Sequence, residues 1–534
     1  MDARAGSPHI DERHMNIPRS LRMLHGVLLT LCGALPMFGA DQPQWGQAWS
    51  RNLVSEERNL PESFDPDTGK NIKWTAKLGS ETHSTPVVAN GRVFIGTNND
   101  EPRDPRHQGD RGVLMCLDEK TGALLWQLVV PKRSDDQYFD WPKCGISSPA
   151  TVEGDRLYLL DNRGAVVCLD VHGMKNGNDG PFREEGVYMT PRPAPPPSFK
   201  PAPLSTDGAM EPGPLDADII WIFDCPSGAG TWPHDGAHSS IVVQGEHLYV
   251  NTSTGVDNSH RVIRTPDAPS LIVLHKETGR LLARDTTFPA KNIFHCTWSS
   301  PSVGTVNGKE LLFFAGGDGI LAAFNLLPRG GVTATVPAEL RRVWHFDPDP
   351  TAPKEEVHRF TNNKQMSPSN VYGMPVIVGE RVYLAGGGDV FWGKNEAWLK
   401  CVDATGTGDM TRRGEVWSYA LERHTLSTPA VYRGMVFIAD TGRKLHCLDA
   451  TTGAAHWTHD VQGDCWASPL VADEKVYLGT RKGHFWVLAA EKEKKLLSSK
   501  ALKRPISATA TAANETLYVA TMTHLFALHR SSAN

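Results

Sequence analysis

The stretch FHCTWSSP (294–301) places His295, Cys296 and Trp298 within four positions. Imidazole and thiolate are transition-metal ligands, and an indole beside them makes an apolar wall, so the cluster has the makings of a metal or small-molecule site. Similar groups occur elsewhere in short runs: Glu81 and His83, Cys144, Asp235 and His238, His424, and Asp464 with Cys465 and Trp466. None of these spacings is a metal motif in itself. WPHDGAH (232–238) has histidines at i and i+4, but that spacing converges only on a helix and this segment reads as a loop. The cluster becomes a site only if the fold gathers it.

An internal repeat supplies that fold. STPVVANGRVFIGT (84–97) is echoed by SSPATVEGDRLYLL (147–160), SSIVVQGEHLYVNT (239–252), SSPSVGTVNGKELLFF (299–314), GMPVIVGERVYLAG (373–386), STPAVYRGMVFIAD (427–440), ASPLVADEKVYLGT (467–480) and SATATAANETLYVAT (507–521). Each copy is two alternating β-rich runs around a Gly, Asp or Asn turn, a hairpin signature. Third and fourth strands follow, as in VLMCLDEKTGALLW (113–126) and LHCLDATTGAAHW (445–457), where Asp-x-x-Thr-Gly suits a tight turn. Four strands repeated eight times predict an all-β, eight-bladed β-propeller of four-stranded antiparallel blades. The eighth copy ends after its third strand, whereas FDPDTGKNIKW (64–74) is a turn and fourth strand without a partner, so an N-terminal strand is expected to close the last blade. Trp74, Trp126, Trp221, Trp344, Trp417 and Trp457 recur at the fourth strand and are expected to pack between blades.

These residues, Ser-x-Pro-x-Val, Val-Tyr or Leu-Tyr, Cys-Leu-Asp, Asp-x-x-Thr-Gly and the trailing Trp, resemble the repeat of the PQQ-like (quinoprotein-type) β-propeller superfamily from about residue 64 to 530. The resemblance implies either a quinoprotein dehydrogenase or a BamB-like assembly scaffold, and so leaves function open. Enzymes of that family carry an adjacent Cys-Cys pair beneath the quinone, a Glu at the start of an inner strand, and an Asn and Asp that help to hold calcium. Here there is no Cys-Cys pair, and His83 stands where that Glu would be. PQQ with calcium is therefore suggested by the family and disfavoured by the residues. No Cys-x-x-Cys-His haem motif occurs.

Aligning the copies puts His83, Ile146, His238, Trp298, Tyr372, Leu426, Trp466 and Ile506 in one register around the central channel, with Glu81, Cys144, Gly236, Cys296, Asn370, His424, Asp464 and Arg504 two residues earlier. The candidate ligand-binding set at this mouth is His83, His238, His295, Cys296, Trp298, His424, Trp466, Glu81, Asp235 and Asp464. A metal is left open, and polar residues that merely hold water are the plain alternative. Cys116, Cys168, Cys401 and Cys447 share one third-strand position and read as core residues. The other cysteines of the repeat region depart from the pattern, and an oxidising compartment would allow a disulfide among them.

The long 4-to-1 and 2-to-3 loops decorate the same face as the ring, where binding usually resides. The insert 172–217, with its polyproline-like PRPAPPPSFKPAP, leaves the opposite end of blade two. Its approach, DVHGMKNGNDGPF (170–182), has Asp, Asn and Gly spaced loosely like a calcium loop but misses the 12-residue EF-hand pattern, so it reads as a turn-rich loop.

A net charge of -5 at pH 7 with no basic stripe gives nucleic acid no foothold. Arg19 and Arg22 ahead of the apolar VLLTLCGALPMFGA (27–40) read as a secretory signal over 1–40, with Met15 a candidate start, followed by a lead segment at 41–63 and the propeller at 64–534. Cys32 follows the bulky Leu31, which argues against lipidation. No transmembrane segment is expected once the signal is removed. The sequence thus predicts an exported, periplasmic or secreted propeller that binds a protein or small molecule at its loop-rich face. The competing reading is a redox or metal-dependent enzyme working at the channel mouth.

Overall fold

The computed structural model describes residues 39–133, 141–191, 208–235, 238–330 and 336–531. All but the last two residues of the expected signal sequence, Cys32 included, lie outside them, as does most of the proline-rich stretch of the insert.

The described residues form eight four-stranded antiparallel blades in a ring. The first runs from Val87–Ala89 on the inside, through Arg92–Asn98 and Arg111–Asp118, to Leu124–Pro131 on the outside. The eighth contributes only Thr511–Ala513, Thr516–Ala520 and His524–Leu528, and Ile72–Lys77 pairs antiparallel with the last of these to complete it. Closure by an N-terminal strand, read from the unmatched FDPDTGKNIKW, is therefore the observed topology. It joins the two ends of the repeat by main-chain hydrogen bonds and leaves no open blade.

The recurring tryptophans tie each blade to the next. The indole N–H of Trp74, Trp126, Trp221, Trp344, Trp417 and Trp457 donates to the carbonyls of Glu119, Val171, Lys276, Ala404, Ala450 and Glu491, all at 2.9–3.0 Å. The same indoles explain the turn glycines. A Cβ at Gly122, Gly279 or Gly453 would stand 2.5–2.6 Å from the ring of Trp74, Trp221 or Trp417, and each of these glycines has φ near +70°. Only glycine meets both demands.

The lead segment has a structural role that the repeat does not reveal. It crosses the channel end opposite the loop-rich face and meets the inner strand of every blade. Val88, Val152, Val303, Ile377 and Val471 donate their amides to the carbonyls of Gln42, Pro43, Trp49, Ser50 and Leu53. Trp49 Nε1 donates to the Val243 carbonyl, Asn52 exchanges two side-chain bonds with Val431, and the Asn514 amide donates to Ala40 O. Val54–Ser55 adds a short parallel strand to Leu470–Ala472. Arg51 is fully buried, and its guanidinium donates to the carbonyls of Trp45, Ser240 and Pro301 and to Ser240 Oγ. Burial without an opposing carboxylate lowers its pKa to about 9.

The eight described cysteines are buried free thiols. No described helix is long and apolar enough to cross a membrane. Replacing Arg51 with Ala strands three buried carbonyls, so we expect a loss of at least about 3 kcal/mol in urea unfolding. A loss below about 1 kcal/mol would show that the segment does not depend on this residue.

Candidate functional site

With one end covered by the lead segment, the channel becomes a pocket that opens toward the loop-rich face. Its cavity measures about 80 Å³ and is lined by Trp45 of the lead segment and by His83, His238, Trp298, Tyr372, Leu426 and Trp466. Six of the eight residues placed in register by the repeat thus meet around one space. The other two, Ile146 and Ile506, are buried in the cores between blades. Ring packing holds the wall together: His238 lies 4.6 Å from Trp298, which lies 5.0 Å from Tyr372, and His83 lies 5.9 Å from Trp466.

The space suits a few waters or one very small molecule. Sites for drug-sized ligands measure roughly 300–1,000 Å³, and a tricyclic quinone does not fit among these side chains. The residues present therefore do not suit PQQ.

Beside this pocket the loops build a second, more polar centre around His295 of FHCTWSSP. Its Nδ1 lies 2.9 Å from Asp389 Oδ2, which also accepts the Tyr372 hydroxyl. Its Nε2 lies 3.1 Å from His234 Nε2. Asp235 Oδ2 stands 3.5 Å from His234 Nε2 and 3.7 Å from His295 Nε2. His260 completes the group, its ring 4.9 Å from that of His234 and 5.4 Å from that of His295. The three histidines can each offer a nitrogen within 4.8 Å of the other two. Phe391 and Trp392 form the adjoining wall, 5.7 Å from His295 and 5.0 Å from His260.

The surrounding charges and burial push these groups in opposite directions. Burial alone would lower the His295 pKa, but the Asp389 carboxylate outweighs it and the net shift is upward. Burial would likewise raise Asp389, yet the His295 charge and the hydrogen bonds bring it down to about 2. His234 is pressed well below its ordinary value by burial and by its two histidine neighbours. Asp389 thus favours a proton on His295, whereas burial and the neighbouring histidines favour a neutral His234. The Cys296 thiol, buried and facing Asp235 and Asp389, is pushed well up and stays protonated. It lies 3.6 Å from His295 Nδ1 but offers no ready thiolate.

The remaining candidates disperse. His424 Nε2 is engaged by the Lys394 carbonyl at 2.7 Å, outside the pocket. Glu81 stands 3.5 Å from His83 Nε2 at the rim. The Asp464 carbonyl accepts the amide of Arg481, whose guanidinium lies over Trp466. His234, His260 and Asp389 were not among the residues picked by register, because all three sit in loops.

A family model described as outer membrane protein assembly factor BamB matches residues 50–175 and 395–532. No curated protein sequence matches the chain. Among solved structures, a europium-containing methanol dehydrogenase superposes with a TM-score of 0.55 at 11% identity, covering 90% of this chain and 89% of its own. BamB from Moraxella catarrhalis gives a TM-score of 0.48 at 11% identity, covering 86% of this chain and 97% of its own. At such identities the likeness concerns the fold alone.

The channel histidines generate a pH prediction. Burial and the neighbouring His83 lower the His238 pKa to about 3, while burial and Arg481 lower His83 against the opposing pull of Glu81. The unfolded chain takes up these protons near pH 6.5 and the folded chain does not, so stability must fall as pH drops below about 6.5. His238→Asn should flatten the pH dependence of the unfolding free energy between pH 6 and 4 by about 1 kcal/mol per pH unit. An unchanged slope would mean that His238 takes up its proton in the folded state.

Proposed function

As the chain is a PQQ-like β-propeller, a fold that serves both scaffolds and dehydrogenases, we propose that it is a metal-dependent member which captures a small polar ligand at its loop-rich face. The ion would be a first-row transition metal held by His234, His260, His295 and Asp235. The observation that carries this reading is the 3.1 Å approach of His234 Nε2 to His295 Nε2, with Asp389 behind His295 Nδ1. A carboxylate on the far nitrogen of an imidazole orients the ring and raises its basicity, the usual support of a metal-bound histidine. Three imidazoles and one carboxylate suit zinc, copper, iron or nickel rather than calcium or magnesium.

Metal binding would displace the proton shared between the two Nε2 atoms. Asp389 would then hold His295 Nδ1–H and Tyr372 in place, and Phe391 and Trp392 would limit water on one side. The half-buried His260 is the ligand nearest solvent and marks the side from which a ligand would arrive. Such a centre also allows hydrolytic or redox chemistry on the captured molecule, by polarising a bound oxygen. The 80 Å³ pocket, lined by Trp298 and Trp466, would accept only a small apolar portion of it.

A second reading, a scaffold that docks a protein on this face, is favoured by the BamB-type family match to both ends of the propeller. Either role would be served outside the cytoplasm, and the basic and apolar run over residues 19–40 supports export.

Metal analysis of protein dialysed against zinc, copper, nickel or iron(II) and then freed of excess ion should find about one ion per chain in the wild type. His260→Ala and His295→Ala should each lower the metal content at least tenfold. His260→Ala should leave the metal-free melting temperature within about 2 °C, since the ring is only partly buried. A wild type that retains none of these ions would favour the scaffold reading.

A further inference from the structure

A separate group of carboxylates gathers where the insert leaves and rejoins blade two. Asp170 ends the strand Ala165–Asp170, Asp179 lies in the Asn- and Gly-rich loop that follows, and Asp218 immediately precedes the strand Ile219–Asp224. Each of the three can offer an oxygen within 4.8 Å of the other two. Glu185, the first residue of the short helix Glu185–Met189, stands close enough to act on Asp218 electrostatically.

Two observations separate this group from an ordinary acidic surface. Asp218 is fully buried; its Oδ2 accepts the Asp179 amide at 2.9 Å, but its Oδ1 has no hydrogen-bond partner. Glu185 is 1% exposed, and neither of its carboxylate oxygens has a partner. Buried carboxylates without partners are costly, and a cation is the usual remedy. Arg156 Nη1 reaches only Asp170, at 2.9 Å from Oδ2. The contrast lies nearby: in the buried group Asp104, His107 and Asp216, Arg106 Nη2 lies 2.5 Å from Asp104 and 3.1 Å from Asp216, so a built-in cation is already in place.

We propose that Asp170, Asp179, Asp218 and Glu185 form a calcium site that fastens both ends of the insert to blade two. Calcium takes six to eight oxygens at about 2.3–2.6 Å, so oxygens on opposite sides of the ion lie about 5 Å apart, which accommodates the spread of up to 4.8 Å among Asp170, Asp179 and Asp218. Hard carboxylate oxygens with no nitrogen or sulfur among them select calcium over transition metals. Desolvation, followed by the charges of the neighbouring acids, raises the Asp218 pKa when no ion is present. The loop 170–182 misses the EF-hand pattern because its partners arrive later in the sequence, from Glu185 and Asp218. The ion would join segments about 40 residues apart rather than organise one loop.

The test is calorimetric titration of calcium chloride into chelator-treated full-length protein, paired with melting curves in 1 mM calcium or 1 mM EDTA. We expect one binding event per chain and a melting temperature higher by about 2–5 °C with calcium. Asp218→Asn and Glu185→Gln should each weaken binding at least tenfold. Asp218→Asn should match or exceed the wild-type melting temperature in EDTA, because it removes like-charge repulsion, so loss of binding would not reflect a damaged fold. His260→Ala should keep the full calcium response, which separates this site from the histidine centre. The proposal is overturned if wild-type protein shows no calcium heat and no shift, or if Asp218→Asn binds calcium as the wild type does.

Discussion

Eight inner strands that point their free edges at a common channel pose one problem for this fold: every edge carries main-chain groups without a sheet partner. The lead segment answers it. From Ala40 to Ser55 the chain crosses the channel end and meets the inner strand of each blade in turn, five times through a main-chain amide of that strand. Arg51 anchors this crossing, binding blades three and four through Ser240 and Pro301 while holding the segment's own Trp45 carbonyl. A buried guanidinium that meets only neutral acceptors is stable because every donor direction named here finds a carbonyl or hydroxyl. The segment is thus as much a part of the ring as the blades are.

Covering one end determines what the other end can do. A through-channel would fill with water, whereas a pocket backed by Trp45 can be packed, and the aromatic ring above it narrows the space to about 80 Å³. That narrowing excludes a large flat cofactor from the axis and shifts polar chemistry outward to the loops. The same Tyr372 that lines the pocket donates its hydroxyl to Asp389, and the same Trp298 that packs on His238 stands 6.4 Å from His295. Pocket and histidine centre therefore share walls, and a change in one is felt by the other.

The fold was legible in the sequence because it is periodic: eight alternating hairpins, a turn motif and a tryptophan at fixed offsets. Register also brought His83, His238, Trp298 and Trp466 together, since each lies four residues before the start of an equivalent inner strand. It failed one step further back. Glu81, His424 and Asp464 lie two residues further from the strand, where the side chains of Glu81 and His424 find partners of their own. His424 accordingly turns to the Lys394 carbonyl. His234, His260 and Asp389 belong to loops that differ from blade to blade, so no period could find them. Loop length, and for His234 the histidine pair of WPHDGAH, were the signals available. The lead segment was invisible for the same reason, because its contacts follow the geometry of the ring and leave no repeat of their own.

The central claim is that the loop-rich mouth holds a transition metal between His234 and His295. Diffraction from crystals soaked in zinc, with anomalous data on both sides of the zinc absorption edge, measures this directly. The account predicts one strong peak about 2.0–2.1 Å from the Nε2 atoms of both histidines, with Asp389 still on His295 Nδ1. A mouth without such a peak, in which the two imidazoles keep their direct 3.1 Å hydrogen bond, would contradict it.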